Sequence, residues 1–173
     1  MVNIKRLNVD YDYDNPIYRS RDTDSGDVEV TKPFDILLVE DNPGDVRLVQ
    51  EAFNETGLPH NLHVVINGVQ AMDFLHREGR RYSEAPRPDL ILLDLNMKEK
   101  DGREVLAEIK ADRHLRSIPV VILTGSLHDR DVFKAYDLQA NSYVVKPIDV
   151  DSFINTIKAI ESYWFYTAKN FLH

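Results

Sequence analysis

Four short apolar runs in this chain each end in a polar side chain, and this pattern limits the possible folds more than any other feature. The runs are residues 35–39, 90–93, 118–123 and 142–145. The polar groups that follow them are Glu40 with Asp41, Asp94, Thr124 and Lys146. Short apolar runs with polar ends are typical of strands buried on both faces of a parallel sheet. Because such sheets bind ligands beyond the carboxyl ends of their strands, we expect these groups to share one site.

Amphipathic segments separate the apolar runs. Val46, Val49 and Phe53 recur at helical spacing after the first run, and Gly57 marks the end of that helix. A further strand is predicted over residues 62–66, a loop over 78–88, a helix near 128–138 and a last helix with Asp149 as its N-cap. The resulting five βα units predict an α/β fold, with a doubly wound parallel sheet and helices on both faces.

Composition excludes several classes of function. The chain has 173 residues and a net charge of −8, which disfavours binding to nucleic acid. It has no cysteine, so it has no disulfide and no thiolate chemistry. No apolar stretch approaches the roughly 20 residues that span a bilayer, and we expect a cytoplasmic protein without a membrane partner. The polar residues 1–32 are predicted to be a flexible acidic tail, 33–149 the core domain, and 150–173 a last helix with an aromatic extension.

The predicted site has the chemistry of phosphoryl transfer. Three carboxylates at one sheet edge repel each other, and a bound divalent cation such as Mg²⁺ removes that conflict. The Thr124 hydroxyl and the Lys146 ammonium are suited to bind phosphoryl oxygens. A carboxylate can itself be the nucleophile and form an aspartyl phosphate, and Asp94 is the candidate for that role.

The same residues carry a resemblance to a known family. The motifs are residues 38–42, 89–97, 101–102, 118–125 and 143–147. With these motifs the chain resembles the receiver domain of response regulators in two-component signalling, over about residues 34–165. The resemblance implies a flavodoxin-like (βα)5 fold and a phosphoacceptor protein rather than a turnover enzyme.

The resemblance also implies a role for each site residue. It makes Asp94 the phosphoacceptor and Lys146 the partner of the phosphoryl group. It places Mg²⁺ on Glu40, Asp41, Asp94 and the backbone carbonyl of Asn96.

A switch and a rate control follow from the same resemblance. Thr124 and Tyr143 are implied to move after phosphorylation, and Asn96 and Ser126 to set how fast the phosphate is lost. The bond between Lys146 and Pro147 is implied to be cis.

Two segments depart from a minimal receiver. Lys98 stands where many receivers have proline, and the stretch 78–88 is longer than usual. That stretch is similar to the stand-alone regulators that pair with phytochrome-type kinases, so the resemblance implies a sensor histidine kinase as partner. After residue 149 only one helix fits, so we expect a single-domain regulator without a DNA-binding output.

The aromatic end of the chain suggests a further partner. Phe153, Ile157, Ile160 and Trp164 are spaced to pack a helix on the core. We expect the remaining aromatic and apolar residues, Tyr163, Phe165, Tyr166, Phe171 and Leu172, to extend apolar surface around and beyond that helix. A homodimer through this helix and its neighbouring face is the expected use of that surface.

Two other functions fit part of the pattern. A pseudo-receiver, an interaction module that is never phosphorylated, would be expected to lack one of the site groups. An aspartyl-phosphate hydrolase of the haloacid-dehalogenase type wants a second aspartate two positions after its nucleophile. That position here is Asn96, which cannot act as the proton donor.

Overall fold

One parallel sheet forms the centre of the protein. The structure is a computed structural model that describes residues 32–125 and 140–171, with side chains described up to residue 165. Its strands are β1 (Phe34–Val39), β2 (His60–Val65), β3 (Leu90–Asp94), β4 (Val120–Thr124) and β5 (Ser142–Val145). They pair in the order β2-β1-β3-β4-β5, and every pair is parallel. This arrangement confirms the predicted α/β fold.

Helices cover both faces of the sheet. They are α1 (Pro43–Thr56), α2 (Gly68–His76), α3 (Gly79–Tyr82), α4 (Gly102–Ala111) and α5 (Val150–Phe171). Helices α1 and α5 pack on one face, and α2 and α4 on the other. The helix predicted near residues 128–138 lies outside the described residues.

The strands alternate their side chains between two cores. In β1, Leu37 contributes to the core under α2 and α4, whereas Ile36 and Leu38 contribute to the core under α1 and α5. All three are fully buried. Burial on both faces explains why β1, β3 and β4 are continuous apolar runs, and why no period of two is visible in their sequences.

Side-chain caps fix where the helices begin at the polar edge. The Asn42 side chain accepts hydrogen bonds from the backbone nitrogens of Gly44 and Asp45 at the start of α1. Asp101 and Glu104 form a reciprocal capping box at the start of α4. Asp149 accepts from the nitrogen of Ser152 at 2.8 Å, as its predicted N-cap role requires. These caps hold the connections after the strands in defined positions.

The stretch 78–88 is not the plain loop that was predicted. It contains the four-residue helix α3, whose Tyr82 packs edge-on against Phe74 of α2 at a ring distance of 5.7 Å. A helix this short has no visible period in the sequence. Strand β2 also begins two residues before the prediction, because His60 pairs with Phe34 in the sheet.

Helix α5 is mostly a core element as far as its side chains are described. Phe153 and Ile157 are buried, and Ile160 and Trp164 pack at the margin of the same core. Phe165 was expected to add exposed surface, and this was wrong: it is 6% exposed and lies edge-on to Phe34, with ring centroids 6.0 Å apart.

Tyr163 does lie at the surface, with 48% of its area exposed. The side chains of Tyr166, Phe171 and Leu172 are outside the described part of the chain. Within the described residues, no helix combines the length and the apolar character needed to cross a bilayer.

Candidate functional site

The carboxylates of β1 and β3 meet at the carboxyl edge of the sheet. Val39 pairs with Leu93, so the residues that follow these two strand positions, Glu40 and Asp94, arrive side by side. One oxygen from each of Glu40, Asp41 and Asp94 lies within 4.8 Å of the others. Glu40 and Asp94 are buried, whereas Asp41 is half-buried. Parallel pairing therefore brings the predicted acidic group together.

Lys146 enters the same site from the end of β5. Its Nζ atom lies 2.6 Å from Glu40 Oε2, 2.7 Å from Asp45 Oδ2 and 3.5 Å from Asp94 Oδ2. Its backbone nitrogen donates to the carbonyl of Thr124 at 2.7 Å, which extends the pairing of β4 with β5 up to the site. The ammonium group therefore contacts three carboxylates that come from three different segments.

Burial changes the charge states of the central pair. Burial raises the pKa of Glu40 to about 7, against the opposing effects of Lys146 and of the hydrogen bond from the Asn42 nitrogen. Burial alone would lower the pKa of Lys146, but its hydrogen bonds to Asp45 and Glu40 outweigh that effect and raise the pKa. Near neutral pH, Glu40 is therefore only partly ionised, whereas Lys146 stays positively charged.

The connection after β3 approaches Asp94 very closely. A Cβ atom on Gly102 would lie 2.2 Å from the Asp94 carbonyl oxygen, so only glycine fits there. The Gly102 nitrogen donates to the Leu95 carbonyl, and the Asn96 nitrogen lies 3.4 Å from Asp94 Oδ1. These contacts position the backbone around the Asp94 carboxylate.

The loop after Asn96 binds the acidic group from the outside. The Lys98 nitrogen donates to Asp41 Oδ2 at 3.4 Å. Glu99 has a left-handed backbone with φ 66°, and its side chain accepts from Asn67 Nδ2 at 2.6 Å. Lys98, which stands in place of the usual proline, thus supplies a backbone donor that proline lacks.

The two proposed switch positions lie on neighbouring strands. Thr124 is fully buried at the end of β4, and Tyr143 on β5 is 36% exposed. Tyr143 pairs with Ile122, two residues before Thr124. Ser126 lies outside the described residues. The bond before Pro147 is trans, so the expected cis bond was wrong; the trans form is the more common isomer of such bonds.

Asp45 is the site residue that the sequence analysis missed. It lies in the first turn of α1, and its carboxylate binds Lys146 as closely as Glu40 does. The sequence did contain one indication of this role: Asp45 lies in the first helical turn after Glu40 and Asp41, in the segment that begins at the same sheet edge. An acid in that turn also has a simpler role, since it complements the helix dipole.

The donor set fits a divalent cation. Glu40, Asp41 and Asp94 offer carboxylate oxygens, which are hard ligands of the kind that Mg²⁺ prefers. The exposed Asn96 lies beside them, and the half-buried Asp41 leaves the group open on one side.

Comparisons with known proteins agree with this geometry. The response regulator receiver domain family matches residues 36–158. The chain belongs to this family. The receiver is 46% identical over 139 residues to response regulator Rcp1 of Synechocystis sp., a match that covers 80% of this chain and 94% of Rcp1.

Solved structures extend the likeness to the fold. The phosphorylated cyanobacterial phytochrome response regulator RcpA matches the receiver with a TM-score of 0.74 and 48% identity, over 79% of this chain and 96% of RcpA. The Mn²⁺-bound form of Rcp1 matches with a TM-score of 0.71 and 47% identity, over 76% and 94% of the two chains. The predicted resemblance to receivers of the phytochrome-associated type is therefore confirmed. Receivers are signalling proteins that bind a divalent metal, and the acidic group in this chain is consistent with that property.

Proposed function

We propose that this receiver accepts a phosphoryl group on Asp94 from a sensor histidine kinase, in a reaction that depends on Mg²⁺. The observation that carries the proposal is the contact of one ammonium, Lys146, with Asp94 inside a group of three clustered carboxylates. The likeness to the cyanobacterial phytochrome response regulator RcpA supports a kinase of the phytochrome type.

In the proposed reaction, Asp94 is the nucleophile. One of its carboxylate oxygens attacks the phosphorus of a phosphohistidine, the P–O bond forms as the P–N bond breaks, and the imidazole leaves with the bonding electrons. Lys146 is placed to balance charge on the phosphoryl oxygens. Mg²⁺, held by Glu40, Asp41, Asp94 and the Asn96 carbonyl, would supply the positive charge that lets an anionic phosphoryl group approach three carboxylates.

After phosphorylation, the neighbouring strands carry the signal in this proposal. Thr124 is at the end of β4, beside the strand that carries Tyr143, and its hydroxyl is the group suited to bind the new phosphoryl oxygens. Tyr143 is exposed enough to move toward the core. Asn96 and Ser126 are the proposed positions that set how fast the phosphate is hydrolysed. The protein acts as a phosphoacceptor and not as an enzyme with turnover.

Partners and organisation complete the proposal. We propose a homodimer through α5 and its neighbouring face, with the exposed Tyr163 as one contact. The proposed location is the cytoplasm, with no contact to DNA or membrane. The division into a tail 1–32, a core 33–149 and a C-terminal segment 150–173 stays a prediction.

Intact-mass spectrometry tests the phosphoacceptor. Wild type incubated with Mg²⁺ and a small acyl phosphate should gain one phosphoryl group, and Asp94→Asn should gain none. Asp149→Asn is the matched control, because asparagine caps a helix as well as aspartate does. Equal labelling of the Asp94 variant would overturn the assignment. If neither the acyl phosphate nor a phytochrome-type kinase labels wild type, the result would favour an unphosphorylated interaction module.

Sedimentation velocity over a concentration series tests the dimer. Tyr163→Ser should shift the protein toward monomer with an unchanged circular dichroism spectrum, because about half of the Tyr163 surface, 48%, is exposed. Ser152→Ala, at an exposed position in the first turn of the same helix, should leave association unchanged. The same monomer content in wild type and the Tyr163 variant would remove this contact from the proposal.

A further inference from the structure

A cleft of about 330 Å³ lies at the amino-terminal edge of the sheet, the edge opposite the acidic site. Its walls come from the end of α2, from the residues just before β3, and from the turn between α4 and β4. Its volume is within the usual range of small-molecule sites, which begins at roughly 300 Å³. None of the residues that line it takes part in the proposed phosphoryl transfer.

The floor and the rim of the cleft have opposite character. Pro88, Leu115 and Ile118 form a buried apolar floor that is continuous with the core under α2 and α4. The exposed rim carries the cations Arg77 and Arg87, with one acid and two histidines beside them. A mostly apolar pocket with a few polar groups is the usual form of a small-molecule site.

Two of the charged groups are held in place. The Arg87 guanidinium donates to the His114 carbonyl and, at 3.0 Å, to Ser117 Oγ. The Asp112 carboxylate accepts from the backbone nitrogens of His114 at 2.6 Å and Leu115 at 3.3 Å. Polar groups that are fixed before a ligand arrives lose less entropy on binding.

Arg77 occupies a position that usually favours glycine. It is the C-cap of α2 and has a left-handed backbone with φ 58°. A left-handed conformation costs an ordinary residue roughly 1 kcal/mol, and such outliers are concentrated at functional sites. An arginine at this point aids the helix dipole, and here it also adds a cation to the lining of the cleft.

We propose that this cleft binds a small organic carboxylate with an apolar body. The lining of the cleft has two arginines and one aspartate, so these groups carry one excess positive charge. A single excess charge suits one carboxylate better than a dianion. The guanidinium fork of Arg77 matches the planar carboxylate, and the apolar floor takes the body of the ligand. The ligand would thereby bridge the stretch 78–88 and the turn before β4.

Amide chemical shifts in the full-length protein test this site, with phenylacetate as the probe. The backbone amides of Arg77, His114 and Leu115 should shift and saturate together. Benzyl alcohol has the same aromatic body without the charge, and acetate has the charge without the body. Both should give much smaller shifts in these amides, because each lacks one of the two features that the cleft recognises.

Three variants make the test independent of folding. Arg77→Gly should weaken phenylacetate binding by about tenfold, the usual effect of losing a charged hydrogen bond, and glycine is well suited to this backbone. Arg80→Gln removes the same charge from an exposed residue outside the lining and should change little. Asp112→Asn keeps the acceptor for the turn but loses the negative charge, so it should bind phenylacetate more tightly.

The proposal fails on any of several results. Equal affinities in Arg77→Gly and Arg80→Gln would remove the cationic recognition, and weaker binding in Asp112→Asn would contradict the charge balance. Shifts that acetate reproduces would remove the role of the apolar floor. Shifts centred on Asp41 and Asn96 would place the probe at the acidic site instead.

Discussion

The Nζ atom of Lys146 lies 2.6 Å from Oε2 of Glu40, and the two side chains are only 14% and 1% exposed. When one partner of such a buried pair is removed, the other is left without compensation for its lost hydration. We therefore expect Lys146→Met to lower the free energy of unfolding by about 2 kcal/mol. This is less than the usual cost of removing one partner of a fully buried ion pair, because Glu40 can take up a proton and become neutral.

A double-mutant cycle by urea denaturation measures this coupling. Glu40→Gln with Lys146→Met should lose less stability than the sum of the two single changes, because the Glu40 charge that the loss of Lys146 leaves unpaired is then absent. Asp45→Asn is the control for the other partner of Lys146, and its effect should be smaller since its side chain is 27% exposed. Additive single effects would show that the pair is not coupled.

Metal binding should depend on pH through Glu40. Burial raises the pKa of Glu40 to about 7 in the metal-free protein, and a metal ligand must be deprotonated. As pH falls from 8 to 6, we expect the affinity for Mg²⁺ to fall and the number of protons released on binding to rise. Isothermal titration calorimetry in buffers of different ionisation enthalpy counts these protons. Glu40→Gln should bind more weakly and release fewer protons; an unchanged proton release would assign it to another group.

The backbone nitrogen of Lys98 should contribute to metal affinity. It donates to Asp41 Oδ2, and proline at this position cannot. Lys98→Pro should weaken Mg²⁺ binding by about threefold, the effect of one modest hydrogen bond at an exposed position. Lys98→Ala keeps the backbone nitrogen and is the matched control for the lost side-chain charge. If calorimetry gives both variants the same affinity, the backbone donor has no role.

Glu161 should make the stability of the protein depend on pH. It is 1% exposed on α5, His60 Nδ1 lies 3.7 Å away, and neither carboxylate oxygen has a hydrogen-bond partner among the described residues. Burial raises its pKa to about 7 from 4.5, against an opposing effect of the Thr56 hydroxyl. Its contribution is therefore fully present below pH 4.5, and it is lost as pH rises through 7.

The Glu161→Gln variant separates this effect from other titrations. The shift corresponds to about 3 kcal/mol, so wild type should lose up to that much stability relative to the variant between pH 4.5 and 8. Chemical denaturation at several pH values provides the comparison. Lys158, on the same helix as Glu161, forms an exposed ion pair with Glu55. Glu55→Gln is therefore the control for the effect of this charge pair on the measured stability. A constant difference between wild type and the Glu161 variant across pH would show that folding does not shift the pKa of Glu161.

Local sequence determined the strands, the caps and most of the acidic site. Residues 35–39 and 90–93 are continuous apolar runs because their strands are buried on both faces, and the polar residues after them reach one edge because parallel strands share a direction. The caps Asn42 and Asp149 act through neighbours a few positions away. Features of this kind depend on near neighbours along the chain, so they can be read from it.

Only the tertiary structure decided which distant side chains meet. Asp45 binds Lys146 across 101 positions of sequence, although each has an ordinary local role. Phe165 is buried because α5 crosses the start of β1 at Phe34, whereas Tyr163, two residues earlier, remains exposed. Glu161 resembles any helical glutamate in the sequence, and its burial and raised pKa come from the packing of α5. Burial and long-range charge pairs depend on how whole elements pack, and local sequence does not contain that information.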